Sequence, residues 1–167
     1  MQIRKATIEE LDKIMEIYAF ARSFMAEHGN PTQWGQSKPS REQIESDILG
    51  EKCYVCMEDE KIAAVFYFAK EIDPTYTKIY EGTWLNSEAY AVVHRVASAG
   101  IVKGAGSFCM NWASKQCENL KIDTHKDNYV MQNMLKKCGF VHCGTIYLED
   151  GEPRLAFQKV CKKVSNC

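Results

Sequence analysis

The chain has 167 residues, 46% of them hydrophobic and 26% charged, and its formal net charge is −1. This length predicts one domain over residues 1–160, which buries about 70% of its unfolded surface, and a frayed tail over 161–167. The balanced charge argues against a nucleic-acid surface, and no apolar run approaches the roughly 18 residues of a membrane span.

The first part of the chain has the periodicities of two helices and three strands. Thr7 and Glu10 form a capping-box pattern before the first helix, and Ser40 is placed to cap the second. The stretch over 29–39 is rich in glycine, proline and polar residues, which is typical of a loop. The predicted elements are a strand at 2–6, helices at about 7–28 and 40–50, and strands at 53–57 and 62–70.

The second part begins with a loop of about 16 residues that is rich in aromatic side chains, and loops of this length are often functional. Predicted strands follow at 89–97, 120–123, 140–148 and 154–160, with helices after Gly104 and at 128–138. The order β-α-α-β-β-β-α-β-α-β-β predicts an α/β (α+β) fold. We expect a mixed, mostly antiparallel central sheet of about six or seven strands, flanked by about four helices.

Eight cysteines raise the alternatives of metal binding and disulfide bonding. Only Cys53 and Cys56 have ligand-like spacing, and no second pair completes a zinc set, so we predict no metal site. The N-terminus lacks the apolar core of a signal peptide, which makes the cytoplasm the expected location. We therefore expect free thiols that act as small apolar side chains.

Residues 101–113, IVKGAGSFCMNWA, place two glycines where a strand gives way to a helix. Glycine lets a ligand approach the backbone closely, and the first amides of a helix favour negative charge. The segment suits either a pyrophosphate or only a tight helix entry. It is not a P-loop, because Lys103 precedes the glycines. It is not a dinucleotide fingerprint either, because Cys109 replaces the third glycine.

Three segments in this order resemble the GNAT superfamily of N-acetyltransferases over about residues 2–160: HRVAS at 94–98, the glycine segment, and DTHKDNYVMQNMLKKCGF at 123–140. The nearest members are uncharacterised bacterial enzymes of the small-molecule type with a QW pair near the first helices. The resemblance implies the GNAT fold and acetyl-CoA as co-substrate. The implied cofactor-binding residues are Val96, Ala97 and Ser98 for pantetheine, Val102, Lys103, Gly104, Ala105, Gly106 and Ser107 for pyrophosphate, and Asn128 beside pantetheine.

The sequence departs from the family pattern at two positions. Ile101 stands where the pyrophosphate motif has a polar residue. Leu135 stands where many members have a tyrosine that gives a proton to the leaving thiolate. Tyr129 lies nearly two helical turns earlier and is only a distant substitute, so the identity of the general acid stays open.

Direct acetyl transfer to an amine needs a base that takes a proton from the acceptor. His94 is our candidate base, because histidine titrates near neutral pH and some GNAT members have a catalytic histidine at a similar place. The alternative is a structural histidine. Glu81 and Asp123 are weaker candidates, for which solvated or structural roles are the alternatives; Glu88 and His125 are further neighbours of the same kind.

Four residues are predicted to bind the acceptor: Gln33, Trp34, Trp84 and Arg95. Trp34 serves either as a packing residue or as a wall beside the amine. Arg95 pairs either with a substrate anion or with an internal acid. We expect an N-acetyltransferase whose partner is a small-molecule amine. Assembly as a homodimer is left open. The alternatives are a peptide or protein N-acetyltransferase and a non-catalytic acyl-CoA sensor.

Overall fold

A computed structural model describes residues 1–161, so the predicted tail beyond Cys161 lies outside the described residues. The strands are β1 Gln2–Lys5, β2 Cys53–Glu58, β3 Lys61–Ala69, β4 Ala91–Ser98, β5 Asn119–Thr124, β6 Val141–Tyr147 and β7 Pro153–Val160. The helices are α1 Leu11–Glu27, α2 Arg41–Leu49, α3 Ala105–Gln116 and α4 Tyr129–Lys137. The predicted fold class and element order are confirmed.

The strands follow the order β1-β2-β3-β4-β5-β7-β6 in a seven-stranded sheet. The β1/β2, β2/β3, β5/β7 and β6/β7 pairs are antiparallel. β4 and β5 are parallel, as expected for two strands that a helix connects. The sheet is therefore mixed and mostly antiparallel, as predicted.

Side-chain caps define where the helices begin. The Ser40 hydroxyl accepts a hydrogen bond from the Gln43 amide at 3.1 Å, and the Asn128 side chain accepts one from the Met131 amide at 3.1 Å. The α-helix predicted from residue 7 begins later, because a 3-10 turn at Ile8–Glu10 precedes α1. Within residues 1–161 no helix has the length and apolar character needed to cross a bilayer.

The chain forms two compact units. The first comprises Met1–Phe68 and His94–Cys109, and the second comprises Ala69–Val93 and the described part of Met110–Cys167. In the first unit, α1 and α2 bury the side chains on one face against β2 and β3. This core includes Leu11, Ile14, Ile17, Tyr18, Ile44, Ile48, Val55 and Val65. Each fully buried aliphatic side chain contributes roughly 1.5–3 kcal/mol.

The second unit has its own buried side chains and holds the aromatic-rich connection over residues 70–90. The largest of them are Tyr76, Met110, Leu120, Ile122, Leu135, Ile146 and Phe157. In the connection, Tyr80 forms a two-way backbone bridge with Thr145 of β6, with both N–H···O distances at 2.8 Å. The Leu85 amide donates to the buried Gln158 side chain at 2.8 Å. This long connection is therefore fastened to β6 and β7.

Gly82 lies so close to β6 that no side chain fits. A Cβ added there would lie 1.9 Å from the Cys143 carbonyl oxygen. We expect Gly82→Ala to lower the free energy of unfolding by about 3 kcal/mol or more, because the connection must lift off β6. Urea denaturation measures the change. Gly29→Ala is the control, since Gly29 has φ +82° but no neighbour within 4 Å, and equal losses in both variants would contradict the contact.

Candidate active site

The sequence-predicted residues of the first unit centre on Arg95, which interrupts the regular geometry of β4. Its φ is +51°, a left-handed conformation that is unusual for a residue with a side chain. The buried Tyr18 hydroxyl donates to the Arg95 carbonyl oxygen at 2.7 Å. This bond holds the irregularity in place, immediately between His94 and Val96.

The Arg95 side chain forms an ion pair with Asp47 of α2. The distance from Arg95 Nε to Asp47 Oδ2 is 2.8 Å, and the side chains are 22% and 6% exposed. Gln43 also donates to Asp47, at 3.0 Å, and the guanidinium lies 4.6 Å from the centre of the Tyr67 ring. Of the two predicted partners of Arg95, an internal acid is the one present here; a substrate role stays a prediction.

Burial raises the pKa of Asp47 above its ordinary value. The positive charge of Arg95 and the hydrogen bonds from Arg95 and Gln43 act in the opposite direction. Sequence reasoning missed Asp47, although one signal was present. Ile44, Asp47 and Ile48 share a helix face at the i, i+3, i+4 spacing, so an acid lies within an apolar stripe.

His94 is half-buried beside an aromatic ring. Its imidazole centre lies 5.6 Å from that of Tyr67, with 36° between the planes. Tyr67 thus contacts both His94 and the guanidinium of Arg95. The candidate base therefore adjoins a cluster formed by α1, α2, β3 and β4.

Gln33 and Trp34 follow α1 in the first unit. The half-buried Trp34 meets the Tyr18 ring edge-on, with centroids 5.6 Å apart, and it packs against the core cluster. The Gln33 side chain accepts a hydrogen bond from Asn30 at 2.8 Å. Tyr18 thus contacts the Trp34 ring and, through its hydroxyl, the Arg95 carbonyl.

The predicted pyrophosphate segment lies at the turn from β4 into α3. Gly104 has φ +85°, and a Cβ added there would have no neighbour within 4 Å. Its carbonyl oxygen accepts the first hydrogen bond of α3, from the Phe108 amide at 3.0 Å. Lys103 and Gly104 are exposed, whereas Ala105 is buried. The loop is therefore a tight helix entry with an open outer side.

The second unit contains the other predicted residues, Glu81, Trp84, Asp123 and Asn128. Tyr76 joins two of them, because its hydroxyl donates to Asp123 at 2.7 Å and its carbonyl accepts from Trp84 Nε1 at 2.9 Å. Glu81 is exposed and accepts a long bond from Thr145 at 3.4 Å. Asn128 caps α4.

Lys121 of β5 is a buried cation that sequence reasoning missed. It is 4% exposed, and its ammonium lies 4.0 Å from the ring centres of both Trp84 and Tyr90. Burial lowers the pKa of Lys121. The lysine covers a face of Trp84, so the substrate contact predicted for Trp84 is limited to the rest of the ring.

On α4, the position where many GNAT members have a proton-donating tyrosine holds no proton donor. Leu135 is fully buried, and Tyr129, at the start of α4, is 65% exposed. Within residues 1–161, no group of three His, Cys, Asp or Glu side chains is arranged to hold a metal ion.

No protein-family model and no curated protein matches the chain. A solved acetyltransferase of the GNAT family from Streptococcus agalactiae is 32% identical, with a TM-score of 0.89 over 97% of this chain and 96% of that one. A ribosomal-protein-alanine N-acetyltransferase from Brucella melitensis is 15% identical, with a TM-score of 0.66 over 96% and 99%.

A more distant structural match was solved with a ligand. It is a Salmonella typhimurium protein of the acetyltransferase class in complex with its cofactor acetyl-CoA. It is 12% identical, with a TM-score of 0.65 over 98% of this chain and 95% of that one. At this identity the match is evidence of a common fold alone.

Proposed function

The chain belongs to the GNAT family of acetyltransferases, and from this premise we propose that it transfers the acetyl group of acetyl-CoA directly to a primary amine of a small molecule. The observation that carries the proposal is the turn from β4 into α3. Gly104 is left-handed there and is open on its outer side, which suits a pyrophosphate approaching the first amides of α3. Val102, Lys103, Gly104, Ala105, Gly106 and Ser107 would hold this group.

The acceptor amine must be uncharged before it attacks. It either binds in the neutral form or loses a proton in the site. His94 is the proposed base, since a half-buried imidazole on β4 can take the proton directly or through one water. The amine nitrogen then attacks the thioester carbon, the C–S bond breaks, and coenzyme A leaves as a thiolate. Backbone amides of β4 near Val96 are the proposed donors to the oxygen on which negative charge grows.

The leaving thiolate has no acid on α4, because Leu135 is an aliphatic side chain within the core. We propose that solvent protonates it. A thiol has an ordinary pKa near 8.5, so the thiolate is a good leaving group at neutral pH without a proton from the protein. This departure from the family pattern concerns the last proton transfer and not cofactor binding.

The ion pair between Arg95 and Asp47 bears on the class of acceptor. Arg95 already has a carboxylate partner at 2.8 Å, so it does not offer an isolated cation to an acidic acceptor. The surface as a whole has little net charge. These features favour a small amine with apolar or aromatic character, which Trp34 and Tyr67 would contact.

A panel of small amines and peptide N-termini, assayed for acetyl-CoA-dependent thiol release and acetylated product, tests the function. We expect a small amine to give the highest kcat/KM. If a peptide is preferred, the protein N-acetyltransferase alternative replaces the proposal. If acetyl-CoA binds but no acceptor raises thiol release, a non-catalytic acyl-CoA-binding role replaces it.

His94→Ala tests the base. We expect kcat with the best amine to fall about 10²–10⁴-fold, the usual contribution of general base catalysis, and the pH dependence of the rate to flatten. Acetyl-CoA affinity should not change. His28→Ala, at an exposed histidine of the same unit, is the control. Full activity of His94→Ala across pH would remove His94 as the base.

Trp34→Ala tests the wall of the acceptor site. We expect the acceptor KM to rise about 10-fold while the acetyl-CoA KM stays constant, because of the two substrates only the amine would contact this ring. Trp34→Phe keeps an aromatic partner for Tyr18 and controls for packing. A loss of stability with an unchanged acceptor KM would assign Trp34 to packing alone.

A further inference from the structure

Two cysteines lie at adjoining ends of β5 and β7 in the second unit, outside the proposed active site. The β5/β7 ladder pairs Asn119 with Val160, and beyond it the Cys161 amide donates to the Glu118 carbonyl at 2.7 Å. Cys161 therefore stands opposite Glu118, diagonal to Cys117. The register therefore brings the two cysteines to neighbouring, diagonal positions at this end of the sheet.

The two thiols also contact each other and have different acidities. The two thiols are side-chain neighbours, and each donates to a backbone carbonyl: Cys117 to Ala113 at 3.4 Å and Cys161 to Lys159 at 3.8 Å. The neighbouring Cys117 thiol is the main factor that lowers the pKa of Cys161 to about 7, with the charge of Lys159 and the nearby Ser114 hydroxyl adding to it against the effect of burial. The pKa of Cys117 is raised by the neighbouring Cys161 thiol and by burial. Cys161 is thus the nucleophilic thiol, and Cys117 is its partner for a disulfide.

A cavity adjoins the Cys161 thiol of this pair. It has a volume of about 340 Å³ and is lined by Asn111, Ser114, Lys115, Lys159 and Cys161. A second pair of neighbouring thiols, Cys56 and Cys109, is fully buried, with both side chains at 0% exposure. Cys161 is only 7% exposed but lines this cavity, and Cys117 is half-buried, so within residues 1–161 a thiol pair beside a cavity can be compared with a fully buried pair.

We propose that Cys117 and Cys161 are a peroxide-reactive pair that closes reversibly to a disulfide. The Cys161 sulfur attacks one oxygen of a hydroperoxide, the O–O bond breaks, and water or an alcohol leaves. Cys161 is then a sulfenic acid. The Cys117 sulfur attacks the Cys161 sulfur, the S–O bond breaks, and the hydroxide leaves as water with the Cys117 proton. The two thiols lose two electrons, and the peroxide gains them.

Peptide mass spectrometry of the intact chain tests this pair. The reduced protein is treated with hydrogen peroxide at pH 7, quenched with iodoacetamide and digested without reductant. We expect a 117–161 cross-linked peptide to form at least about tenfold faster than any product of Cys56 or Cys109, and dithiothreitol to reverse it. Cys117→Ser should leave a sulfenic acid on Cys161 that dimedone traps.

Cys138→Ser is the matched control, because Cys138 is half-exposed but lies outside the pair, and this variant should form the same cross-link. A cross-link from Cys161 to a different cysteine would overturn the proposal. So would reaction of Cys161 at the rate of the fully buried Cys56. Both readouts use the unmodified chain, so they do not depend on whether the serine variants fold.

Discussion

Asp47→Ala is expected to lower the free energy of unfolding by about 3–5 kcal/mol, the usual loss when one partner of a buried ion pair is removed. The Asp47 side chain is 6% exposed and receives hydrogen bonds from Arg95 and Gln43. Without it, the guanidinium keeps its charge in a half-buried position against the Tyr67 ring. Urea denaturation followed by circular dichroism measures the loss.

Two controls separate this effect from a general loss of charge. Asp12 pairs with Arg41 at 2.6 Å, but these side chains are 82% and 53% exposed, so Asp12→Ala should cost at most about 1 kcal/mol. Asp47→Leu combined with Arg95→Met should recover most of the lost stability, because no charge is left unpaired. Equal losses for Asp47→Ala and Asp12→Ala would mean that the buried pair contributes nothing special.

Gly104→Glu is expected to weaken acetyl-CoA binding at least about 100-fold. The added carboxylate would repel the pyrophosphate at the entry to α3, where the proposed cofactor residues lie. A clash with the protein is not the cause, since a Cβ at Gly104 meets nothing within 4 Å. Isothermal titration calorimetry with acetyl-CoA measures the affinity.

Gly104→Ala is the matched control for the backbone. The φ of +85° at position 104 strains any residue with a side chain by about 1 kcal/mol. Both variants carry that cost, but only the glutamate adds a negative charge. We expect Gly104→Ala to lose less than about tenfold in affinity. If Gly104→Glu binds acetyl-CoA as tightly as Gly104→Ala, this turn does not hold the pyrophosphate.

The fold was predictable because its signals are local. Ser40 and Asn128 cap the helices to which their sequence positions assign them, and Gly139, with φ +88°, stands where α4 ends. The period change from helix to strand marked the remaining boundaries to within a few residues. The main local difference is the 3-10 turn at Ile8–Glu10, which the capping pattern alone does not distinguish from the first turn of an α-helix.

The surroundings of the candidate site were less predictable, because they depend on contacts between distant parts of the chain. Asp47 and Arg95 are 48 residues apart, and Tyr18 and Arg95 are 77 residues apart. No local sequence pattern indicates which acidic side chain pairs with which basic side chain. The same limit applies to Lys121, since the sequence of β5 does not reveal that Trp84 and Tyr90 enclose its ammonium.

The connection over residues 70–90 has a kinetic consequence for the second unit. Segments of this length often serve as lids that open and close over a site. Here Tyr80 and Leu85 are bonded to β6 and β7, and the absence of a side chain at Gly82 lets the backbone rest directly on the Cys143 carbonyl. We therefore expect the connection to stay closed on β6 and β7 as part of the rigid frame of this unit.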